Sequence, residues 1–112
     1  SWVKQGTRFA DIVLGDRDGS TCSPALTTLI AEAFRSEGLS VAINDPYKGV
    51  ELVKRFGRPQ DDRHSIQIEI NRKLYMNEAT RERTGHYPAL KALLTRVTAR
   101  IAAFAAAAPA AA

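Results

Sequence analysis

Runs of apolar residues bounded by turn residues predict three strands along the chain. Residues 12–14 read as a short buried strand that Gly15 and the polar turn "DRDGST" end. The segment "LSVAIN" predicts a second strand, and "HSIQIEINRKLY", residues 64–75, predicts a third. In the third strand the isoleucines alternate with polar residues, so we expect them to face the core and to hold Gln67 and Glu69 on the other face.

Helical spacing of apolar residues identifies the first helix, which follows the first strand. Ser23 is a typical N-cap residue, Pro24 suits the first helical position, and Gly38 suits the position just after the helix. The apolar stripe of this helix consists of Leu26, Leu29, Ile30, Ala33 and Phe34.

Two further helices are predicted after the second and third strands. Leu52, Val53 and Phe56 suit a short helix that Gly57 ends. A last amphipathic helix carries Leu90, Leu93, Leu94, Val97, Ile101 and Phe104. Strands and helices therefore alternate, which favours an α/β fold with a mostly parallel sheet flanked by helices.

Length and composition fit a single domain. The chain has 112 residues, of which 45% are hydrophobic, enough for one core. We expect residues 1–105 to form one α/β unit and residues 106–112 to be a low-complexity alanine-rich tail. Because the chain has no initiator Met and enters a strand early, we expect it to be part of a longer protein.

Charge and hydropathy narrow the classes of partner. The net charge is +4, which would suit nucleic acid, but Lys and Arg are interleaved with Asp and Glu. A solvated, mildly basic surface is therefore the expectation, rather than a nucleic-acid interface. No apolar segment is long enough to span a membrane and the start does not resemble a secretion signal, so we predict no membrane partner and a cytoplasmic location.

Charged residues follow each predicted strand, and in open α/β sheets ligands bind beyond the carboxyl ends of the strands. The residues that this rule selects are Asp16, Arg17 and Asp18 after the first strand, Asn44, Asp45, Tyr47 and Lys48 after the second, and Glu69, Asn71 and Arg72 at the end of the third. If the strands are parallel, these side chains meet at one edge and suit a small anion with more than one carboxylate. A structural ion pair between Glu69 and Arg72 is the alternative.

Cysteine and histidine form no recognisable metal-ligand spacing. Cys22 could be a nucleophile, a metal ligand or an apolar filler, and filler is the commonest role of a single cysteine. His64 lies at the start of the third strand and His86 precedes the last helix. Neither is predicted to bind a metal within this chain.

Three segments in their observed order carry a resemblance to a known family. "GDRDGSTCSPAL", "AINDPYKGVELVKRFGRP" and "RHSIQIEINRKLYMNE" resemble the C-terminal half of N-formylglutamate amidohydrolase, also called N-formylglutamate deformylase. The resemblance implies a bacterial enzyme of histidine catabolism that hydrolyses N-formyl-L-glutamate to L-glutamate and formate. It also implies an α/β fold similar to part of the zinc carboxypeptidases, a phosphorylase/hydrolase-like fold.

The same resemblance implies roles for individual residues. Glu69 would act as general base and acid toward a water that zinc activates. Arg72, Asn44 and Lys48, with Arg17 as a weaker candidate, would bind the carboxylates and orient the formamide of a small dicarboxylate substrate.

The family's metal-binding residues are expected in an N-terminal half that this sequence lacks. We therefore expect zinc ligands outside this chain, inactivity of the chain alone, and association with the N-terminal part of the same protein or with a second copy. The alternative function is a non-catalytic module that binds small anions or another protein.

Overall fold

The computed structural model describes residues 10–77, 79–80, 82–83 and 85–107. Two short 3₁₀ turns, Pro59–Asp61 and Arg72–Leu74, accompany the strands and helices. In chain order the elements are β1 (Ile12–Gly15), α1 (Pro24–Ser36), β2 (Val41–Ile43), α2 (Glu51–Phe56), β3 (Gln67–Ile70), β4 (Met76–Asn77), β5 (Glu82–Arg83) and α3 (Tyr87–Ala107).

A three-stranded mixed sheet, with β1 between β2 and β3, forms the centre of the fold. β2 runs parallel to β1. β3 runs antiparallel to it, with Gln67 opposite Gly15 and Ile70 opposite Ile12. The α/β class is therefore confirmed, but the prediction of a mostly parallel sheet is wrong for β3.

The segment between β2 and β3 leads the chain to the carboxyl end of β1. It contains α2, whose six residues advance the chain by about 9 Å. The backbone N–H of Ser65 then donates to the carbonyl of Thr21 at 2.8 Å, just beyond the carboxyl end of β1. The chain therefore enters β3 from that end and runs back along β1.

One face of the sheet packs against α1 and α3 to form the core. Ile12 and Leu14 of β1 are fully buried there, and Ile68 and Ile70 of β3 pack against the same cluster. The predicted alternation in β3 is thus confirmed. The helices contribute Leu26, Ile30, Ala31, Ala33, Phe34, Leu90, Leu93 and Val97 to this core.

The two long helices have the predicted apolar faces, and α1 also has the predicted start. The hydroxyl of Ser23 accepts a hydrogen bond from the backbone N–H of Leu26 at 3.3 Å and caps α1. At the other end, Glu37 receives two hydrogen bonds from Arg96 of α3, at 2.7 and 2.8 Å. This pairing ties the end of α1 to the middle of α3.

Three features of the fold differ from the sequence expectations or add to them. A small hairpin, β4 paired with β5, lies between β3 and the last helix, where the sequence predicts no element. α3 extends to Ala107, so the first two residues of the predicted tail are helical, and residues 108–112 lie outside the described residues. In α2 only Val53 is buried. None of the helices in the described segments combines the length and apolar character needed to cross a bilayer.

Cys22 is a core residue. Its exposed fraction is 0%, and burial raises the pKa of its thiol above the ordinary value. Because the thiolate is the reactive form, burial and a raised pKa both oppose chemistry at this sulfur. The apolar-filler interpretation agrees with this environment.

We predict that Cys22 resists modification in the folded chain. Dithionitrobenzoate should release thionitrobenzoate from the native protein at least about a hundredfold more slowly than from protein in concentrated urea, because reaction requires opening of the core. The measurement is absorbance against time in both solvents. Equal rates would mean that the thiol is accessible in the folded state.

Candidate functional site

A cavity of about 550 Å³ lies beside β3. Val13 and Glu69 line it on the face of the sheet opposite α1 and α3, which we call the cavity face. This volume is in the range of small-molecule sites. The lining comes from β1, β3, the loop after β2 and the turn after β3. Its members are Ala10, Val13, Tyr47, Ile68, Glu69, Ile70, Asn71, Arg72 and Tyr75.

Glu69 is the carboxylate of this cavity. It lies opposite Val13 of the central strand, and its neighbours Ile68 and Ile70 are packed against the core on the other face. The strand therefore fixes the backbone of Glu69, while the side chain is exposed at the cavity. A carboxylate placed in this way can reach a bound small molecule without rearrangement of the fold.

Arg72 supplies a positive charge to the same cavity. It begins the 3₁₀ turn after β3, which Asn71 caps by accepting the backbone N–H of Lys73 at 3.0 Å. Among the described residues the ion pairs are Lys48 with Asp18 and Arg96 with Glu37. Glu69 and Arg72 therefore do not pair with each other, and the alternative of a structural ion pair between them is wrong.

The other three predicted site residues lie near the carboxyl ends of β1 and β2, away from the end of β3. Asn44 donates to the Asp16 carboxylate at 2.7 Å. Arg17 donates from its guanidinium to the carbonyl of Gly49 at 2.9 Å. Lys48 pairs with Asp18 at 3.0 Å.

The prediction that these residues meet Glu69 and Arg72 at one edge is wrong, because β3 is antiparallel to β1. Its carboxyl end lies beside the amino end of β1. The described lining of the cavity includes Glu69 and Arg72 but not Arg17, Asn44 or Lys48.

Asp16 organises the loops at the carboxyl end of the sheet. Its carboxylate is buried and accepts hydrogen bonds from Asn44, from the backbone N–H of Gly19 at 2.8 Å and from the Thr27 hydroxyl at 2.9 Å. Burial by itself raises the pKa of this carboxyl, but these hydrogen bonds outweigh it and hold the pKa below the ordinary value of 3.8. The ionised form of Asp16 is therefore part of the folded state.

The loop of residues 44–50 crosses the cavity face of β1 in direct contact with Gly15. A Cβ atom at Gly15 would come within 2.7 Å of the backbone of Lys48 and Gly49. On the far side of the loop, the backbone N–H of Val50 donates to the Gln67 side chain of β3 at 3.1 Å. These contacts hold the loop across the sheet, and Tyr47 within it reaches the cavity.

Sequence reasoning left two aromatic residues of the cavity out of the predicted site. The carboxyl-end rule selects Tyr47 only as one residue after the second strand, and the sequence predicts Tyr75 as the end of the third strand. Tyr75 instead ends the 3₁₀ turn, lines the cavity and makes an edge-on ring contact with Tyr87, with centroids 6.3 Å apart. The residues Asn71 and Arg72, which follow the isoleucine alternation, could have indicated that the strand ends before Tyr75 and that a turn places Tyr75 at the cavity.

The described residues do not offer a zinc site. Within them, no group of three or more His, Cys, Asp or Glu side chains is arranged to hold a metal ion. The Nδ1 atom of His64 accepts the backbone N–H of Ser23 at 3.1 Å, and the ring packs edge-on against Phe104. Cys22 is enclosed in the core. The metal implied by the family resemblance therefore does not fit the described residues of this chain.

Comparisons with known proteins agree with one another. The family model described as N-formylglutamate amidohydrolase matches residues 2–76. Two curated relatives, both N-formylglutamate deformylases, are similar over 72 residues, or 63% of this chain: the Pseudomonas aeruginosa protein at 35% identity and the Pseudomonas putida protein at 29%. The match spans only 27% of each relative's length.

A solved structure extends the similarity to most of the chain. The crystal structure of N-formylglutamate amidohydrolase from Ralstonia eutropha superimposes with a TM-score of 0.84 and 50% sequence identity. The superposition covers 92% of this chain and 37% of that one. The fold described above is therefore shared with about a third of a larger protein.

We predict that Asp16→Asn destabilises the fold in a pH-dependent way. The amide replaces an acceptor with a donor facing Asn44 and Gly19, so we expect a loss of roughly 2–3 kcal/mol in the free energy of unfolding at pH 7. Because the folded-state pKa is lowered, the carboxylate's contribution is complete above about pH 4 and is lost as the pH falls through the folded-state value.

Urea unfolding followed by circular dichroism between pH 7 and pH 2 tests this, with Asp18→Asn as the control. Asp18 is exposed and its ion pair with Lys48 is a surface one, so the control should cost less than about 1 kcal/mol. A difference between Asp16→Asn and the parent chain that stays constant down to pH 2 would contradict the prediction.

We also predict that Gly15→Ala disturbs the loop over the cavity. The added methyl group would collide with the backbone at Lys48 and Gly49, and such overpacking typically costs about 1–3 kcal/mol. Gly85→Ala is the matched control, because a Cβ there meets nothing within 4 Å. Thermal unfolding of both variants would be compared. An equal change in the thermal midpoint would show that the loop is not in close contact with β1 at Gly15.

Proposed function

Because the chain belongs to the N-formylglutamate amidohydrolase family, we propose that it forms part of a hydrolase that converts N-formyl-L-glutamate to L-glutamate and formate. The observation that carries the proposal is the position of Glu69. It is exposed on a packed strand, at a cavity of small-molecule size, beside an arginine with which it does not pair. The names of the similar proteins support N-formyl-L-glutamate as the substrate. The geometry supports the roles proposed for Glu69 and Arg72.

In the proposed reaction Glu69 acts first as a base and then as an acid. Its carboxylate takes a proton from a water molecule while the water oxygen attacks the formyl carbon. It then gives that proton to the amide nitrogen as the carbon–nitrogen bond breaks. Water is consumed, formate and the free amine of glutamate are released, and Glu69 returns to its starting form.

Arg72 is the proposed anchor for the substrate's carboxylates. A guanidinium can bind a carboxylate through two parallel hydrogen bonds, which fixes position as well as charge. Asn71, Tyr47 and Tyr75 line the same cavity and provide polar groups for the remaining contacts. Substrate binding by Arg17, Asn44 and Lys48 stays a prediction, and their present contacts support a role in holding the loop of residues 44–50.

The remaining parts of the proposal concern the complete protein. We propose that residues outside this chain hold a zinc ion, which would supply a more reactive water when bound, and that the chain alone is inactive. The residues described here contribute the proton carrier and the anion site. A role in histidine catabolism and a cytoplasmic location complete the proposed biological setting.

We predict that Glu69→Gln abolishes most of the activity of a full-length protein that carries this segment. Loss of a general acid–base group lowers kcat by roughly 10²–10⁴-fold, while the amide keeps the size of the side chain and so leaves substrate binding within a few-fold. Formate release from N-formyl-L-glutamate is the measurement.

Glu32→Gln is the control, because Glu32 is also exposed and lies outside the cavity lining, on α1. Its kcat should match that of the parent. An unchanged rate of formate release by Glu69→Gln would contradict the proposed acid–base role of Glu69. Binding of formylglutamate without any turnover in the parent would instead favour the anion-binding module.

A further inference from the structure

The segment that leads into and forms α2 exposes most of its large apolar side chains. Helical spacing predicts burial of Leu52, Val53 and Phe56 together, yet only Val53 is buried, while Leu52 is 62% exposed and Phe56 is 60% exposed. Two more side chains of this segment, Tyr47 and Val50, are 51% and 57% exposed. We name the set Tyr47, Val50, Leu52 and Phe56 the apolar ridge.

The apolar ridge is concentrated in a short stretch of the chain. Among the described residues, one other large apolar side chain is strongly exposed, Ile43 of the edge strand β2. Leu52 and Phe56 are four residues apart and so lie side by side on α2. Apolar side chains exposed together in this way are typical of surfaces that another polypeptide covers.

The apolar ridge is also continuous with the cavity. Tyr47 belongs to both. Val50 is held beside β3 by the hydrogen bond from its backbone to Gln67, two residues before Glu69. A polypeptide that covered the apolar ridge would therefore border the cavity that contains Glu69 and Arg72.

The family comparison indicates which polypeptide this is. The fold of this chain matches about a third of the Ralstonia eutropha protein at 50% identity, so the larger part of that protein is additional structure. That additional structure has to pack against the shared third. α1 and α3 cover one face of the sheet, and the loop of residues 44–50 covers β1 on the other face. The apolar ridge and Glu69 are left exposed by the described residues.

We propose that the apolar ridge is the docking surface for the part of the family fold that this chain does not contain. Leu52 and Phe56 are the apolar anchors of the contact. The exposed Lys54 and Arg55 of α2 form its basic rim. The inference rests on the exposure of the apolar ridge and on family membership, and it does not depend on the reaction assigned to Glu69.

The test uses the 112-residue chain and the complementary larger part of the Ralstonia eutropha protein, co-expressed and purified through a tag on the complementary part. We expect a one-to-one complex by light scattering. The double substitution Leu52→Glu with Phe56→Glu should weaken it at least about tenfold, because a few buried anchors carry most of the affinity of an interface.

The control is Ala99→Glu with Ala103→Glu, two exposed positions of α3 with the same spacing and the same added charge. It should leave the affinity within about twofold. Because Leu52 and Phe56 are exposed in the isolated chain, their substitution should leave its thermal midpoint unchanged. A lowered midpoint of the isolated chain would show that they are core residues and would overturn the proposal.

A second measurement covers the case in which the two separately expressed parts do not associate. The chain replaces the matching third of the Ralstonia eutropha protein in one fusion, and both double substitutions are introduced. We expect the ridge pair to lower the midpoint of the fusion and the α3 pair not to do so. Equal effects, or a homodimer of the chain that the ridge pair disrupts, would overturn the proposal.

Discussion

The path of the loop of residues 44–50 depends on the close contact between Gly15 and the backbone at Lys48 and Gly49. Because Gly15 has no side chain, the loop can cross the central strand at this point. The loop thereby reaches β3, where the backbone N–H of Val50 donates to Gln67. The same crossing brings Tyr47 to the cavity that contains Glu69.

Asp16 complements that steric contact with an electrostatic one. Its buried charge is balanced by hydrogen-bond donors from Asn44, Gly19 and Thr27 and not by a cation. Asn44 thereby connects the turn after β1 to the loop after β2, and the two loops hold each other in place. Arg17, which donates to Gly49, adds to the same junction. The cation of the cavity is a separate residue, Arg72, which lies beyond the other end of β1.

The sequence predicted the features that depend on local periodicity. The N-cap at Ser23, the stripes of α1 and α3 and the inward isoleucines of β3 all follow from spacing along one element, and all are present. The direction of β3 depends instead on contacts between residues far apart in the sequence, such as Gly15 with Lys48 and Gly49, and Ser65 with Thr21. No period in the sequence encodes such a contact. The grouping of Arg17, Asn44 and Lys48 with Glu69 failed for the same reason.

The mismatch in α2 has a different physical origin from the error in β3. The apolar spacing of Leu52, Val53 and Phe56 predicts burial of all three side chains, but the structure buries only Val53. Under the docking proposed above, the covering polypeptide would bury the other two and would also border the cavity. Removal of water there would strengthen the interaction of Glu69 and Arg72 with a bound anion, because charges interact more strongly in a medium of low dielectric constant. Burial of the apolar ridge and removal of water from the site would then both result from one association. This would account for the exposure of Leu52 and Phe56 in a chain whose own core is packed.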